Sequence, residues 1–299
     1  MKKNLIVMVL AVAFALTATA CGSEKETPSN ETANVADEGA DVADEGADTV
    51  DAPSNEESGE VAEAPNKEYE GTLTVGFDQD FPPMGFVGDD GEFTGFDLDL
   101  AGEAAARINY ELKLQPIAWD SKDMELETKS IDCIWNGFTI NGREDDYTWT
   151  TPYMANEQVF VVKENSGIVD LAGLAGKVVT VQSDSSAEAA LEDRADLVET
   201  FGTYQRTADY NTALMDLEAG AVDAVAMDSI VANYQIEKRG GAFSVLEEKL
   251  AAEEYAVGFF KGNTELKDKI EGALKEMAAD GTLAKISGEW FGQDVTTIH

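Results

Sequence analysis

Two charged side chains stand just after predicted strands and suit the two ends of a small zwitterion. Arg143 could hold a carboxylate through two parallel hydrogen bonds, a geometry that lysine does not offer. Its alternative role is an exposed arginine paired with one of the acids at 144–146. Asp228 could accept an ammonium group, or it could simply cap the helix predicted after it. Together the two residues suggest a clamp for a free α-amino acid.

Neutral groups in three other segments would complete such a clamp. Residues 185–188 have the spacing of a capping box, so a helix is predicted to begin there with free backbone N–H groups that favour an anion. A capped helix without a ligand satisfies the same spacing. Residues 77–86 contain two prolines, which favour an extended loop, and aromatic side chains that would flank a ligand or belong to the core. Asn136 and Thr139 could hydrogen-bond a polar ligand.

An α/β scaffold would place these segments together, because ligands of open α/β sheets lie at the carboxyl ends of the strands. Short apolar runs alternate with helical patterns along the chain. The predicted strands are 73–76, 131–135, 159–162, 177–182 and 222–227. The predicted helices are 96–108, one from 185, one around 213–215, 229–236, and two amphipathic helices separated by Asp280 and Gly281. This alternation predicts an α/β protein with mainly parallel sheets.

The composition excludes several classes of function. The chain has 59 acidic and 21 basic residues, a formal net charge of −38, which makes it a poor candidate for nucleic-acid binding. Its only histidine is His299, so His-based triads and histidine metal sites are excluded. Its two cysteines, Cys21 and Cys133, provide neither a disulfide framework nor a thiolate metal site. We expect no cofactor and no metal.

The first 68 residues are predicted to target and tether the protein. Residues 1–20 have the basic start and short apolar run of a signal peptide. Residues 16–23 resemble a bacterial lipobox, in which Cys21 becomes the lipid-bearing N-terminus; the alternative is a plain secretory signal. Residues 21–68 are acidic, contain a seven-residue repeat at 35–48 and are predicted to form a disordered linker.

From residue 69 to 292 the sequence resembles the bacterial solute-binding protein family 3, the polar amino acid receptors of ABC importers. The matching segments occur in the family's order: 75–78, 81–83, 95–101, 131–132, 137–140, Arg143, 152–153, 176–179, 220–224, Asp228, 280–286 and 290–292. The resemblance implies a two-lobed periplasmic-binding-protein fold of type II, with lobes joined by two crossover strands. Lobe 1 would comprise 69–156 and 259–299, and lobe 2 would comprise 157–258 with the hinge strands.

The resemblance also implies ligand-binding roles for ten residues. These are Arg143, Ser185 and Ser186 for the carboxylate, Asp228 for the amino group, Phe81 and Trp119 on either side of the ligand, Asn136, Gly137 and Thr139 for further hydrogen bonds, and Asp78 for the ligand's side chain. Asp78 and Asp184 would suit a basic or amide side chain, although the sequence does not identify the amino acid.

The predicted function is that of an extracytoplasmic substrate-binding lipoprotein of an ABC importer, which captures a free polar amino acid by hinge closure and is not an enzyme. The alternatives are a dehydratase-like enzyme on the same fold and an amino-acid sensor module. The expected partners are the amino acid, the permease subunits and, through the lipid, a membrane. We expect a monomer, attached to a Gram-positive cell surface in preference to a periplasmic location.

Overall fold

The computed structural model describes residues 68–299. The predicted signal peptide, Cys21 and nearly all of the acidic linker lie outside the described residues. The strands of the described part are β1 (Gly71–Phe77), β2 (Asp80–Phe81), β3 (Gly85–Val87), β4 (Phe93–Thr94), β5 (Tyr110–Pro116), β6 (Cys133–Ile134), β7 (Thr148–Trp149), β8 (Met154–Lys163), β9 (Val178–Gln182), β10 (Thr203–Thr207), β11 (Ala224–Asp228), β12 (Phe243–Val245), β13 (Ala251–Tyr255) and β14 (Gly258–Phe259).

Eight α-helices accompany these strands in the same part of the chain. They are α1 (Phe96–Arg107), α2 (Lys122–Glu127), α3 (Ser186–Glu192), α4 (Ala195–Val198), α5 (Tyr210–Ala219), α6 (Ser229–Lys238), α7 (Thr264–Asp280) and α8 (Thr282–Phe291). The sequence-predicted break between the last two helices is at Gly281, whose φ of 83° ends α7 in the left-handed region. Among residues 68–299 no helix is long and apolar enough to cross a membrane.

The strands form two main sheets and one small sheet. The first sheet has the order β5-β1-β6-β14-β7, and the second has the order β10-β9-β11-β8-β12, with β13 also paired to β8. The small sheet, β2-β3-β4, follows β1. Helices α1, α7 and α8 pack together beside the first sheet, whereas α3, α5 and α6 pack on strands of the second. Each main sheet is therefore part of its own α/β layer structure, as predicted.

The prediction of mainly parallel sheets is wrong. Parallel pairing is confined to β1 with β5 and β6, and to β9 with β10 and β11. Strand β8 runs antiparallel to β11, β12 and β13, and β14 runs antiparallel to β6 and β7. The physical reason is the route of the chain: β8 enters the second sheet directly from the first, and β14 returns directly, so neither has the long crossover that parallel pairing needs.

The chain passes between the two sheets twice, and the two passages lie side by side. The outward passage is at 150–153 and the return passage is at 256–257. The backbone N–H of Thr150 donates to the carbonyl of Val257 at 3.1 Å, and that of Tyr153 donates to the carbonyl of Tyr255 at 2.9 Å. These hydrogen bonds tie the two connections into one narrow link. The residues that line the space between the sheets come from both sides of this link.

Candidate functional site

Eight of the ten sequence-predicted binding residues line one small cavity between the two sheets. The lining residues are Phe81, Trp119, Gly137, Thr139, Arg143, Gln182, Ser185, Ser186 and Asp228. Gln182 is the one member of this set that sequence reasoning did not select.

The cavity lies at the carboxyl ends of strands from both sheets. Phe81 is in β2, immediately after β1, and Gly137 and Thr139 follow β6. From the second sheet, Ser186 begins the helix after β9 and Asp228 is the last residue of β11. The site therefore forms where the general rule for α/β sheets places ligands.

Asp78 and Asn136, the other two predicted residues, lie behind the cavity wall. The Nε2 group of Gln182 donates to Oδ2 of Asp78 at 2.7 Å, and the Asp78 backbone N–H donates to Oδ1 of Asn136 at 3.0 Å. Burial raises the pKa of Asp78 to about 6, against the lowering effect of its hydrogen bonds. Asp78 thus contacts the cavity through Gln182, across the gap between the two sheets.

A buried carboxylate on α1 fixes the loop that carries Gly137. Oδ2 of Asp97 accepts hydrogen bonds from the Gly137 backbone N–H at 2.6 Å and from the Tyr153 hydroxyl at 2.8 Å. Gly137 has a φ of 57°, and a Cβ at this position would lie 2.8 Å from the ring of Phe81. Only glycine fits this backbone shape and this close approach. Burial raises the pKa of Asp97 to about 7.

Arg143 does not have the exposed pairing that was its alternative role. Among the described ion pairs, none joins it to the acids at 144–146. Its guanidinium lies over the ring of Phe138, 5.5 Å from the centroid, and donates weakly to the carbonyls of Thr139 and Asp184, both at 3.4 Å. These long bonds leave most of its donor capacity for a ligand.

Lys122 is a second cation beside the cavity residue Trp119, although it does not line the cavity itself. Its side chain is only 1% exposed, lies 5.2 Å from the Trp119 ring centroid and forms an ion pair with the carboxylate of Asp184. Its Nζ also donates to the Asp184 carbonyl at 3.2 Å. Desolvation lowers the pKa of Lys122, although Asp184 opposes this effect. Because Lys122 stands beside the first sheet and Asp184 follows β9, the pair bridges the two halves.

Asp228 occupies the N-cap position of α6, but its side chain makes no capping bond. Oδ1 instead accepts from Nε2 of Gln158 at 2.9 Å, Nδ2 of Asn156 at 3.1 Å and the hydroxyl of Tyr255 at 2.6 Å. Burial is the largest cause that raises the pKa of Asp228 well above its usual range, followed by the charge of Glu253. By contrast, Ser185 does cap α3, since its Oγ accepts from the Glu188 N–H at 3.1 Å.

Four polar residues of this site were missed by the sequence reasoning: Lys122, Gln158, Gln182 and Glu253. Gln182 ends a predicted strand, and extending the search to the last residue of each strand would have found it. Gln158 and Glu253 belong to β8 and β13, whose polar and acidic residues hide the strand pattern. Nothing in the local sequence signals that Lys122 is buried.

Residues 73–293 match the family of bacterial extracellular solute-binding proteins, family 3. The chain belongs to this family. The L-cystine-binding protein TcyJ of Escherichia coli (strain K12) is 36% identical over 229 residues, which are 76% of this chain and 85% of TcyJ. The L-cystine-binding protein TcyA of Bacillus subtilis (strain 168) is 28% identical over 300 residues, 99% of this chain and 100% of TcyA.

A solved relative has the same fold. The crystal structure of an ABC uptake transporter substrate-binding protein from Streptococcus pneumoniae with bound histidine superposes with a TM-score of 0.73 at 37% identity, covering 76% of this chain and 94% of that one. The two-sheet periplasmic-binding-protein fold is thereby confirmed. Family 3 proteins are extracellular solute-binding proteins, which confirms the predictions of an extracytoplasmic binding protein and of a protein that is not an enzyme.

Proposed function

We propose that this family 3 protein is the substrate-binding component of an ABC importer and that it binds a free polar amino acid in the cavity between its sheets. The observation that carries this proposal is the separation of charge across the cavity. Arg143 lies on one side and Asp228 on the other, and neither forms an ion pair within residues 68–299. A zwitterion with a carboxylate and an ammonium would neutralise both.

The lining residues then take complementary roles. Arg143, together with Ser185 and Ser186 at the start of α3, holds the α-carboxylate through charge-assisted hydrogen bonds. Asp228 holds the ammonium. Phe81 and Trp119 flank the aliphatic part of the ligand. Gln182, with Asp78 behind it, faces the ligand's side chain.

L-cystine is the first substrate to test, because two relatives of this chain are L-cystine-binding proteins. Histidine is the second, because it is bound in the Streptococcus pneumoniae relative. Both have polar side chains that the amide of Gln182, which Asp78 holds from behind, can hydrogen-bond.

Hinge closure is the proposed mechanism of capture. The two halves, one built on each main sheet, turn about the paired connections at 150–153 and 256–257. The ligand contacts Arg143 on one lobe and Asp228 on the other, so it stabilises the closed arrangement through bonds that the open one lacks. The permease subunits of the importer would recognise the closed form.

Calorimetric titration tests this function. The purified chain, refolded from denaturant to remove carried-over ligand, is titrated with L-cystine and with each of the twenty standard amino acids, L-histidine first. We expect micromolar or tighter binding of one or a few of them. Absence of binding across the whole set would refute the proposal of an amino acid receptor.

A lipid on Cys21 is proposed as the membrane anchor, with residues 21–68 as a spacer and a Gram-positive surface as the favoured location. In a bacterial host supplied with a clickable palmitate analogue, we expect the chain to be labelled and Cys21→Ser to lose the label. Cys133, which is fully buried, serves as the internal control because it remains in the variant. Equal labelling of both proteins would contradict the anchor.

We also propose that the protein is a monomer. Light scattering of the same purified protein measures its molar mass and tests this expectation.

A further inference from the structure

A second carboxylate lies beside Asp228 and has no assigned role. Glu253, in β13, is 5% exposed, and Asp228 is 3% exposed. Both accept hydrogen bonds from the same two amides. Nε2 of Gln158 donates to Asp228 at 2.9 Å and to Glu253 at 2.7 Å, and Nδ2 of Asn156 donates to Asp228 at 3.1 Å and to Glu253 at 2.7 Å.

Glu253 is also joined to the cavity wall. Its Oε2 accepts from the Thr139 hydroxyl at 2.8 Å, and the same hydroxyl lies 3.1 Å from Oγ of Ser186. Thr139 and Ser186 both line the cavity. A charge on Glu253 therefore acts on the ligand site at the distance of a single intervening hydroxyl.

No basic side chain balances this pair. Among the described residues, neither Asp228 nor Glu253 forms an ion pair with lysine or arginine. Two buried carboxylates so close together cannot both remain charged without a cation or a proton.

We propose that Asp228 and Glu253 share one proton in the ligand-free protein. The ammonium of the incoming amino acid replaces this shared proton, so that ligand binding releases a proton to solvent. This inference rests on the proposed function. It makes Glu253, a residue that need not touch the ligand, a determinant of affinity and of its dependence on pH. The balance is simple: one ammonium enters the site and one proton leaves the carboxylate pair.

The direction of the pH effect follows from linkage. Burial and the charge of Glu253 raise the pKa of Asp228 well above its usual range. An ammonium in contact with a carboxyl lowers the pKa of that group by about 1 to 3. Binding is therefore weaker at a pH where the pair holds its proton, and it strengthens by about tenfold or more as the pH rises and the proton is lost.

The other ionisable groups around the pair have separable effects. Tyr210 and Tyr255 face it, but burial raises the pKa of both hydroxyls well above 10. Arg143 lines the same cavity. Asp78, whose pKa is raised to about 6, titrates within the range of interest. Proton release that persists when Glu253 is neutralised would come from Asp78 or from Asp228 itself, because burial alone also raises the pKa of Asp228.

The experiment is calorimetric titration of the full chain with the amino acid found to bind, in buffers of different ionisation enthalpy, at several pH values from 5.5 to 7.5. Glu253→Gln keeps the shape of the side chain and removes its charge. Glu254→Gln is the matched control, since Glu254 is the exposed neighbour on the same strand. The slope of heat against buffer enthalpy gives the number of protons released.

We expect the wild type and Glu254→Gln to release a proton and to gain about tenfold or more in affinity over this range. We expect Glu253→Gln to release fewer protons and to change in affinity by less than about threefold over the same pH range. At pH 5.5 it should bind the amino acid more tightly than the wild type does. A merely structural role for Glu253 predicts weaker binding at every pH. Absence of proton release by the wild type, or an equal release by Glu253→Gln, would overturn the proposal.

A readout without ligand separates this inference from the proposed function. The unfolded chain holds no such pair. The unfolding temperature of Glu253→Gln should therefore exceed that of the wild type at pH 8, and the difference between the two temperatures should shrink towards pH 5. If this difference is found but no amino acid binds, the carboxylate pair stands and the receptor function fails. If an amino acid binds and the difference is absent, the function stands and the shared proton is refuted.

Discussion

At the scale of single residues, Arg143 is the group on which carboxylate binding depends. Its neighbours bind it only weakly, at 3.4 Å, and it is partly buried, so its removal should not unfold the protein. We expect Arg143→Ala to abolish measurable binding of the amino acid. Arg143→Lys should weaken it by about tenfold to a hundredfold, because an ammonium cannot form two parallel bonds with a carboxylate. Calorimetry and thermal unfolding together measure both effects.

Arg194→Lys supplies the control for that comparison. Arg194 is an exposed arginine whose partner, Asp196, is also on the surface, so the change should alter neither affinity nor stability by a measurable amount. Near-normal affinity in Arg143→Ala would refute the clamp. Loss of binding accompanied by a large fall in unfolding temperature would instead assign Arg143 a structural role.

Most single residues of the site could be predicted from the sequence, and the exceptions share a cause. Arg143 and Asp228 follow predicted strands, so a rule about strand ends selects them. The roles of Lys122 and Glu253 depend on partners that are distant in the sequence. Lys122 pairs with Asp184, 62 positions away, and Glu253 accepts from Thr139, 114 positions away. Such pairings depend on how two sheets face each other, which no local pattern records.

At the scale of elements, α1 positions the loop that follows β6 through Asp97. The pKa of this buried carboxyl rises from 3.8 to about 7 on folding, so between about pH 4 and pH 7 the folded form binds more protons than the unfolded form. Its contribution to the free energy of unfolding therefore falls as pH rises through this window, by at most about 1.4 kcal/mol per pH unit, and levels off above pH 7.

We expect Asp97→Asn to flatten this pH dependence, because the amide cannot ionise. Denaturant unfolding at several pH values measures the difference between variant and wild type, which isolates Asp97 from the other titrating groups. Asp89→Asn, at an exposed position between β3 and β4, should leave the wild-type slope unchanged. A constant offset between Asp97→Asn and the wild type from pH 4 to pH 8 would contradict the prediction.

Elements were predicted well where one face is apolar and poorly where a strand carries polar groups inward. The amphipathic helix predicted before Asp280 matches α7, whose buried face includes Ile270, Leu274 and Met277. Strand β8 was predicted over 159–162 but begins at Met154, because Asn156 and Gln158 are polar and buried. Their burial is offset by bonds to the two carboxylates, a compensation that hydrophobic periodicity cannot detect.

At the scale of the whole molecule, several polar contacts hold the two halves together around the cavity, including three that do not involve Thr139 or Arg143. Lys122 pairs with Asp184, Gln182 donates to Asp78 at 2.7 Å, and Nδ2 of Asn211 donates to Oδ1 of Asp80 at 2.8 Å. The ring of Phe81 also lies 5.9 Å from that of Tyr210. These polar bridges and the ligand both stabilise the closed form. The bridges therefore determine part of the ligand's affinity.

We expect Lys122→Met, which keeps the length of the buried stem and removes its charge, to shift the ligand-free protein towards the open form and to weaken binding by about threefold to tenfold. Small-angle scattering should show a larger radius of gyration without ligand and a larger contraction on saturation. Asn211→Ala tests the same idea away from the cavity, since Asn211 does not line it, and should change the radius in the same direction. If Lys122→Met weakens binding while both variants keep the wild-type radius, Lys122 contacts the ligand directly and the bridges do not control closure.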